Sequence, residues 1–308
     1  MKLLIPYAHV NDPQCVQVGA TLQLPGLSLL LRDLTLVETV TGSEQDLSPV
    51  HEQMHARVLG LDAADGQIPW AALSLAREGG QASTGGCAWV TPAHWQIGMD
   101  HILMLDPDTL ALQEGQSREL MQAMVPYFAQ DGITLTFHSP LRWLARGDAL
   151  ADLPSASLDR VRGADVRPWM PATATLRRLQ NEMQMLLYTH PVNDVRTAQG
   201  YQPVNSFWVH GSGRLDGPLP VGEAPTLATE LRQSALQGDW ASWARAWQQL
   251  DQNACRTLRE ELRAGRPATL VLCSERNALV FEARPRHWGD RLRRRLQGAS
   301  LQQFTPLL

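Results

Sequence analysis

Short apolar runs recur along the chain between proline, glycine and polar residues, and this pattern predicts a series of strands. The predicted strands cover residues 2–8, 87–90, 101–105, 133–138, 204–209, 269–273 and 278–283. The last two flank Ser274-Glu275-Arg276-Asn277, which predicts a hairpin. Residues 27–40 are apolar without a clear period, so a strand and a pair of short helices both remain open there. Between residues 87 and 138, the order strand, strand, helix, strand indicates an α+β unit.

Apolar residues at helical spacing predict several helices. One begins at Ser117 and runs to about residue 129, with Pro126 expected to kink or end it. Another covers residues 173–188. A further helix begins at Asp239 and ends at Gly265-Arg266-Pro267, and its apolar stripe consists of Trp240, Trp243, Trp247 and Leu250. We interpret this stripe as core and not as a platform for stacking nucleotides, because one face of a helix must be buried.

The helix predicted between Ser48 as N-cap and Gly60 as C-cap carries candidate chemistry. Its first turns hold His51, Glu52 and His55, a formal match to the His-Glu-x-x-His motif in which two histidines bind zinc and the glutamate is a general base. The helix is short, its first turn is polar and no third ligand is evident. We therefore expect a solvated helix start, with zinc hydrolysis through these three residues as an alternative.

Residues 188–213 hold the densest group of polar side chains among turn-forming residues. The polar residues are His190, Asn193, Arg196, Asn205 and His210, and the turn formers are Pro191, Gly200, Pro203, Gly211 and Gly213. Because Pro191 cannot continue the preceding helix, we predict a turn there, followed by a short strand that the last two glycines stop. Each asparagine can offer a donor and an acceptor to neighbouring backbone.

The spacing of these residues resembles a family signature. The matching positions are His190-Pro191-Val192-Asn193, Arg196, Gly200, Pro203, Asn205, Trp208, Gly211 and Gly213, which resemble the pattern of archaeal-type cofactor-independent phosphoglycerate mutases. That family belongs to the alkaline-phosphatase superfamily, so the resemblance implies an α/β core that binds two divalent metals and carries an inserted α+β subdomain. We therefore expect the core at residues 1–90 and 218–308, and the insert with the signature at residues 91–217. The chain also resembles a proteobacterial group described as phosphoglycerate mutases or as the E-type regulatory protein of the rpf cluster.

The chain departs from this family at two metal-binding positions. The family's first strand is followed by Asp-Gly, where this chain has Tyr7-Ala8-His9, and its last strand by Asp-His, where this chain has Cys273-Ser274-Glu275. The nucleophilic serine cannot be assigned, Ser48 and Ser74 being candidates. Because two-metal phosphoryl transfer needs clustered carboxylates and histidines, we expect no cofactor and no metal near His9, Asp12 and Ser274. Manganese or zinc is implied only if the family's activity is retained.

Three functions remain open. The favoured hypothesis is a phosphoglycerate-mutase-like pseudoenzyme with a binding or regulatory role. The alternatives are an active mutase or related phosphatase, and the zinc hydrolase. Two roles compete for the signature residues His190, Asn193, Arg196, Asn205, Trp208 and His210. Either Arg196 binds a small phosphorylated ligand together with the two histidines, or these residues hold the backbone, which we favour because the surrounding prolines and glycines specify a backbone path.

Composition narrows the classes of protein further. The chain has 308 residues, 44% of them hydrophobic, and a net charge of −4, which argues against a general surface for DNA or anionic lipid. The arginine-rich residues 284–295 could still attract an acidic or nucleic-acid partner. Four cysteines without C-x-x-C spacing predict reduced, buried thiols. No signal sequence and no apolar run of the ~20 residues needed to span a membrane is evident, so we expect a cytoplasmic protein without a membrane partner.

Overall fold

The structure is a computed structural model that describes residues 1–79, 85–217, 224–284 and 300–308. It is an α/β protein, which confirms the predicted fold class. The chain divides into two compact units, the first formed by Met1–Gln45, Pro49–Leu61 and Pro220–Leu308, the second by Asp46–Ser48 and Asp62–Leu219. The sequence predicted that the N-terminal part of the core extends to residue 90. In the structure, the N-terminal part of the first unit extends to Leu61, about thirty residues earlier.

The helices and strands are numbered in chain order. The strands are β1 (Lys2–Ile5), β2 (Thr35–Thr41), β3 (Cys87–Ala93), β4 (Trp95–Ile97), β5 (Ile102–Met104), β6 (Thr134–Ser139), β7 (Arg142–Arg146), β8 (Ser206–Gly213), β9 (Thr226–Leu227), β10 (Thr269–Cys273) and β11 (Asn277–Glu282). The α-helices are α1 (Pro13–Thr21), α2 (Pro25–Asp33), α3 (Val50–Leu59), α4 (Trp70–Arg77), α5 (Glu114–Gln130), α6 (Leu158–Val161), α7 (Ala174–Tyr188), α8 (Pro191–Ala198), α9 (Arg232–Leu236), α10 (Trp240–Gln252) and α11 (Ala254–Arg263). None of these helices combines the length and apolar character that a membrane crossing requires.

The first unit is built on a five-stranded mixed sheet in the order β2-β11-β10-β1-β9. Strand β1 runs parallel to both β10 and β9, whereas β11 is antiparallel to β10 and β2. Leu3 and Ile5 point into a core that includes residues of α1, α2, α10 and α11, and Leu4 points to the opposite face, where α3 packs. Burial on both faces explains why β1 is a continuous apolar run.

Carboxylates cap the starts of α1 and α2 in the first unit. Asp12 accepts hydrogen bonds from the N–H groups of Gln14 and Cys15 at the start of α1. Asp251, buried on α10, accepts the N–H groups of Gly26 and Leu27 at the start of α2, 3.0 and 2.6 Å away. The α2 cap therefore comes from a residue more than two hundred positions away along the chain.

The tryptophan stripe of α10 lies in the core, so its structural interpretation is confirmed. Trp240, Trp243 and Trp247 are all buried, and successive rings meet edge to face with centroids 6.3 and 6.2 Å apart. The prediction of one helix from residue 239 to 265 is wrong, because the backbone breaks at Asn253 (φ −109°, ψ −81°) and α11 begins after it.

The second unit contains a four-stranded antiparallel sheet in the order β6-β7-β3-β8. Side chains alternate along its strands, so that Phe207 and Val209 of β8 face the core shared with α5 and α7, while Trp208 lies in a cluster on the other side. Helix α4 covers part of that other side, where Ala71 packs against Trp89. A separate hairpin is formed by β4 and β5.

Two predictions about the signature segment are wrong. Pro191 does not begin a turn: it is the first residue of α8, where its missing N–H costs nothing and its fixed φ suits a helix. Strand β8 does not stop at Gly211 but continues through it to Gly213. Gly211 has φ +59°, and a Cβ on Gly213 would lie 2.9 Å from the carbonyl oxygen of Gln67, so both positions require glycine.

Two serines that were predicted to be helix N-caps make other hydrogen bonds. Ser48 does not cap α3, whose N-cap is Pro49, and its hydroxyl instead accepts the N–H of Gly66. Ser117 lies inside α5, where its hydroxyl donates to the carbonyl of Pro140 and accepts the indole N–H of Trp143. The predicted C-cap is present, since Gly60 adopts the left-handed conformation at φ +76°.

All four cysteines are buried, and none is in a disulfide bond. Burial raises the pKa of Cys15 to about 11 and that of Cys255 to about 12, and it also raises the pKa of Cys273. Because the thiolate is the reactive form, we expect no cysteine of the folded protein to react with iodoacetamide at about pH 8, whereas all four react in denaturant. Mass spectrometry of the alkylated protein measures this, and a thiol that reacts rapidly without denaturant would contradict it.

Candidate functional site

The candidate site lies at the edge of the first unit's sheet where the parallel strands β1 and β10 end. Tyr7 follows β1, and Ser274 and Glu275 follow β10. Parallel strands deliver the residues at their carboxyl ends to one edge of a sheet, and ligands of open α/β sheets bind at this edge. These residues also occupy the positions at which the family signature implied metal ligands.

Tyr7 adopts a conformation that is unusual for a non-glycine residue. Its φ is +55°, in the left-handed region, and its side chain is only 7% exposed. Its ring packs against the ring of His51, with centroids 5.1 Å apart, and its carbonyl accepts the indole N–H of Trp243 at 2.9 Å. Backbone strain of this kind costs about 1–3 kcal/mol and tends to occur at functional sites. The surrounding core therefore holds Tyr7 in place.

Of His9, Asp12 and Ser274, where we expected no metal, Asp12 and Ser274 contact the backbone. The Asp12 carboxylate caps α1, and the Ser274 hydroxyl accepts the N–H of Asn277 and donates to the carbonyl of Leu308. Burial lowers the pKa of half-buried His9, an effect that the nearby charge of Glu275 opposes. Within the described ranges, neither His9 nor Asp12 belongs to a close group of three ligand-type side chains.

The start of α3 is not solvated, so that expectation is wrong. His51 is 7% exposed because it packs under Tyr7. His51 and Glu52 offer ligand atoms within 4.8 Å of one another, and His55 is half-buried one turn further on. A catalytic zinc takes three protein ligands, so these contacts leave the zinc hydrolase as an alternative without establishing it.

In the second unit, the two signature asparagines connect backbone segments. The Asn193 amide donates to the carbonyls of Leu187 and Val204 and accepts the N–H of Val204, at 2.7–2.9 Å. Asn205 accepts the N–H of Trp95 and donates to the carbonyl of the same residue. Each asparagine thus uses both a donor and an acceptor on the backbone, as its chemistry predicted. Asn193 ties the end of α7 to the segment that leads into β8.

Arg196 of α8 is fully buried, with 0% of its surface exposed. Its guanidinium donates to the carbonyls of Gln202 and Leu110 and to the side-chain oxygen of Gln116, at 2.6–3.0 Å. These partners are all neutral, and burial lowers the pKa of Arg196. The fork-shaped guanidinium therefore joins three separate segments of the second unit, the arrangement expected if the signature arginine has a structural role.

The remaining signature residues also have partners within the second unit. His190 is the N-cap of α8 and accepts the N–H of Val192 at 3.3 Å. The indole N–H of Trp208 donates to the carbonyl of Ala156, and the Nε2 atom of His210 lies 3.0 Å from the hydroxyl oxygen of Thr91. The contacts of His190 and Trp208 therefore support the backbone path. The arginine-rich residues 284–295 were the other predicted site, and residues 285–295 lie outside the described ranges.

Sequence reasoning missed two features of these regions. Nothing in the sequence indicated the left-handed Tyr7, because that conformation favours glycine, asparagine and aspartate. The spacing of Trp243 on its stripe placed it in the core without showing that its N–H reaches the carbonyl of Tyr7. A buried tryptophan usually finds a partner for its N–H, and this was the one signal available for such a contact.

Comparisons with known proteins give distant structural likenesses. A scan against models of protein families finds no match, and a search of curated proteins finds no relative. Among solved structures, a cofactor-independent phosphoglycerate mutase from Thermoplasma acidophilum is 14% identical, with 92% of this chain and 89% of that one covered and a TM-score of 0.38. The PH0037 protein from Pyrococcus horikoshii is 13% identical, with 96% and 92% covered and a TM-score of 0.48. At such identities substrate and chemistry have to be argued from the residues above.

Proposed function

We propose that this chain is a phosphoglycerate-mutase-like protein that binds a small ligand, has lost two-metal phosphoryl transfer and serves a regulatory role in a bacterial cytoplasm. The observation that carries the proposal is Tyr7 after β1. In the family that the signature resembles, a metal-binding aspartate follows the first strand. Here that position holds a buried ring packed on His51, with a backbone carbonyl bound by Trp243.

The end of β10 supports the same proposal. Ser274 closes the hairpin turn between β10 and β11 through its hydroxyl, and the Glu275 carboxylate accepts the N–H of Asn11 at 3.0 Å. Two metal ions held about 4 Å apart need several carboxylates and histidines directed at one point. The polar groups of Ser274 and Glu275 are instead engaged with backbone.

The ligand proposed from the resemblance is a small phosphorylated acid. Helix N-termini are the usual phosphate sites, because their free N–H groups and dipole attract anions. In the first unit, Asp12, Asp251 and Asp239 already occupy the starts of α1, α2 and α10. The starts of α3 and α11 carry no side-chain cap, and half-buried His9 is the candidate side-chain contact for a phosphorylated ligand at the strand ends. An acidic or nucleic-acid partner of residues 284–295 remains a further proposal.

We expect no 3-phosphoglycerate mutase turnover by the purified protein with added manganese, and no stoichiometric manganese or zinc after dialysis, because the metal-binding residues are replaced. A coupled enolase assay measures turnover, and elemental analysis measures bound metal. An authentic mutase of this family, purified and dialysed in parallel, is the positive control.

Turnover that survives further purification, together with two manganese or zinc ions per chain, would refute the proposal in favour of an active mutase or phosphatase. One zinc ion per chain would instead favour the hydrolase, which is kept as a second candidate because of the short distance between ligand atoms of His51 and Glu52. In that case His51→Ala should lose the zinc, and His9→Ala, a matched change at the strand ends, should keep it.

A further inference from the structure

A narrow cavity in the second unit lies between α7 and β8 and shares one wall residue, Trp208, with the signature. Its walls include Ser155, Trp169, Pro171, Leu176, Gln180 and Trp208. The unfilled space is about 250 Å3 when its open mouth is counted. The enclosed part of the cavity has room for about one water molecule. A ligand must therefore be thin, with one atom seated in the depth and the remainder in the mouth.

The walls of this cavity are flat and apolar. Trp208 is 2% exposed and its N–H is already bonded to the carbonyl of Ala156, so it presents only its ring. Trp169 is half-buried, and the guanidinium carbon of Arg160 lies 5.2 Å from the centre of its ring. Pro171 and Leu176 add apolar surface. Aromatic and aliphatic walls of this kind favour a planar, apolar ligand.

Gln180 supplies an acceptor with no partner. This side chain is 2% exposed, its amide N–H reaches the carbonyl of Phe207 at 3.5 Å, and its Oε1 atom has no hydrogen-bond partner among the described residues. The Ser155 hydroxyl, also on the wall, is already bonded to the hydroxyl of Ser212. An unpaired buried amide oxygen costs about 1–3 kcal/mol, which a donor placed in the cavity would recover.

The wall residues also exclude some ligands. They are all uncharged, so no wall residue would replace the hydration that a phosphate or carboxylate loses in the depth. A ligand with only acceptors would leave the Gln180 oxygen unpaired. The remaining class is a small, neutral, planar group that donates one hydrogen bond.

We infer that this cavity binds a small neutral N–H heteroaromatic group, with the N–H seated in the depth and directed at the Oε1 atom of Gln180, and the rest of the ring in the mouth beside Trp169 and Pro171. The inference goes beyond the proposed function, because it concerns the second unit and requires neither presence nor loss of metal catalysis. An experiment that refutes the proposed function therefore does not refute this inference, and the reverse also holds.

The test compares pyrazole with 1-methylpyrazole, which has the same ring without the N–H group. Binding to the full chain is followed by two-dimensional 1H–15N NMR titration, with indole N–H signals of the tryptophans as reporters. We expect pyrazole to shift the signal of Trp208 and to bind at least about tenfold more tightly than the methylated ring, since one hydrogen bond to a buried acceptor separates the two probes.

Gln180→Leu removes the acceptor at similar volume and should abolish the preference for pyrazole. Gln122→Leu, the same change at an exposed position on α5, should leave it unaltered. Equal binding of both probes by the unaltered chain, or a preference that survives Gln180→Leu, would overturn the inference. No binding by either probe would mean that the cavity holds water alone, which also overturns it. The comparison of the two probes needs no variant, so it remains decisive even if Gln180→Leu fails to fold.

Discussion

Replacing Arg196 with alanine is expected to destabilise the protein by about 3 kcal/mol, because the carbonyls of Leu110 and Gln202 lose a buried donor and each unpaired group costs about 1–3 kcal/mol. Urea unfolding followed by circular dichroism measures the change in midpoint. If Arg196 instead binds an anionic ligand with His190 and His210, the substitution should cost little stability. The two roles of the signature thus predict opposite results.

Two further variants sharpen this experiment. Arg177→Ala removes the same side chain from an exposed position on α7 and should change the midpoint little. Arg196→Lys keeps the charge but cannot reproduce the forked contacts to Gln116, Leu110 and Gln202, so it should recover only part of the loss. An unchanged midpoint and slope for Arg196→Ala would refute the structural role.

Trp243→Ala is expected to be the most damaging change in the first unit, at about 4 kcal/mol, because it removes a fully buried tryptophan. It also removes the donor that holds the carbonyl of left-handed Tyr7. Trp243→Phe retains most of the packing and should cost about 1–2 kcal/mol more than a phenylalanine substitution that breaks no hydrogen bond. Urea midpoints of the variants measure both values.

Trp247→Phe is the matched control for that hydrogen bond. Trp247 is equally buried on the same stripe, and its N–H has no partner among the described residues. Equal costs for Trp243→Phe and Trp247→Phe would show that the contact to Tyr7 contributes nothing. A larger cost for Trp243→Phe supports the view that the core supplies the free energy that keeps Tyr7 strained.

This link between core and strand end bears on the proposed function. Tyr7 occupies the edge of the sheet at which α/β proteins bind ligands, and Trp243 anchors its carbonyl. Because His51 covers one side of the Tyr7 ring, a change at Tyr7 or at His51 should alter the shape of this edge. Tyr7 and His51 are therefore the first positions at which to seek variants with altered binding.

Local pattern determined much of the secondary structure of this protein. The apolar run of β1, the β10–β11 hairpin and the capped start of α10 at Asp239 all follow from residues close together in the chain. The tryptophan stripe could be assigned to the core because helical spacing places its members on one face. The donor and acceptor use of Asn193 and Asn205 followed from their chemistry.

Only the tertiary structure decided the features that depend on distant residues. Pro191 is compatible both with a turn and with the first position of a helix, and α8 forms because Asn193 and Arg196 find partners on α7, α5 and the approach to β8. The unit boundary near residue 61 reflects which sheet β3 joins, and strand pairing between segments far apart is not encoded in local spacing.

The candidate sites also depend on contacts between residues that are far apart in the chain. The carbonyl of left-handed Tyr7 accepts a hydrogen bond from Trp243, more than two hundred residues away, and the cap of α2 comes from similarly distant Asp251. Gln180 looked like an ordinary polar residue of an amphipathic helix, and its unpaired oxygen became visible only where β8 packs beside α7. Periodicity identifies which residues are buried, whereas the fold alone determines what each buried polar group meets.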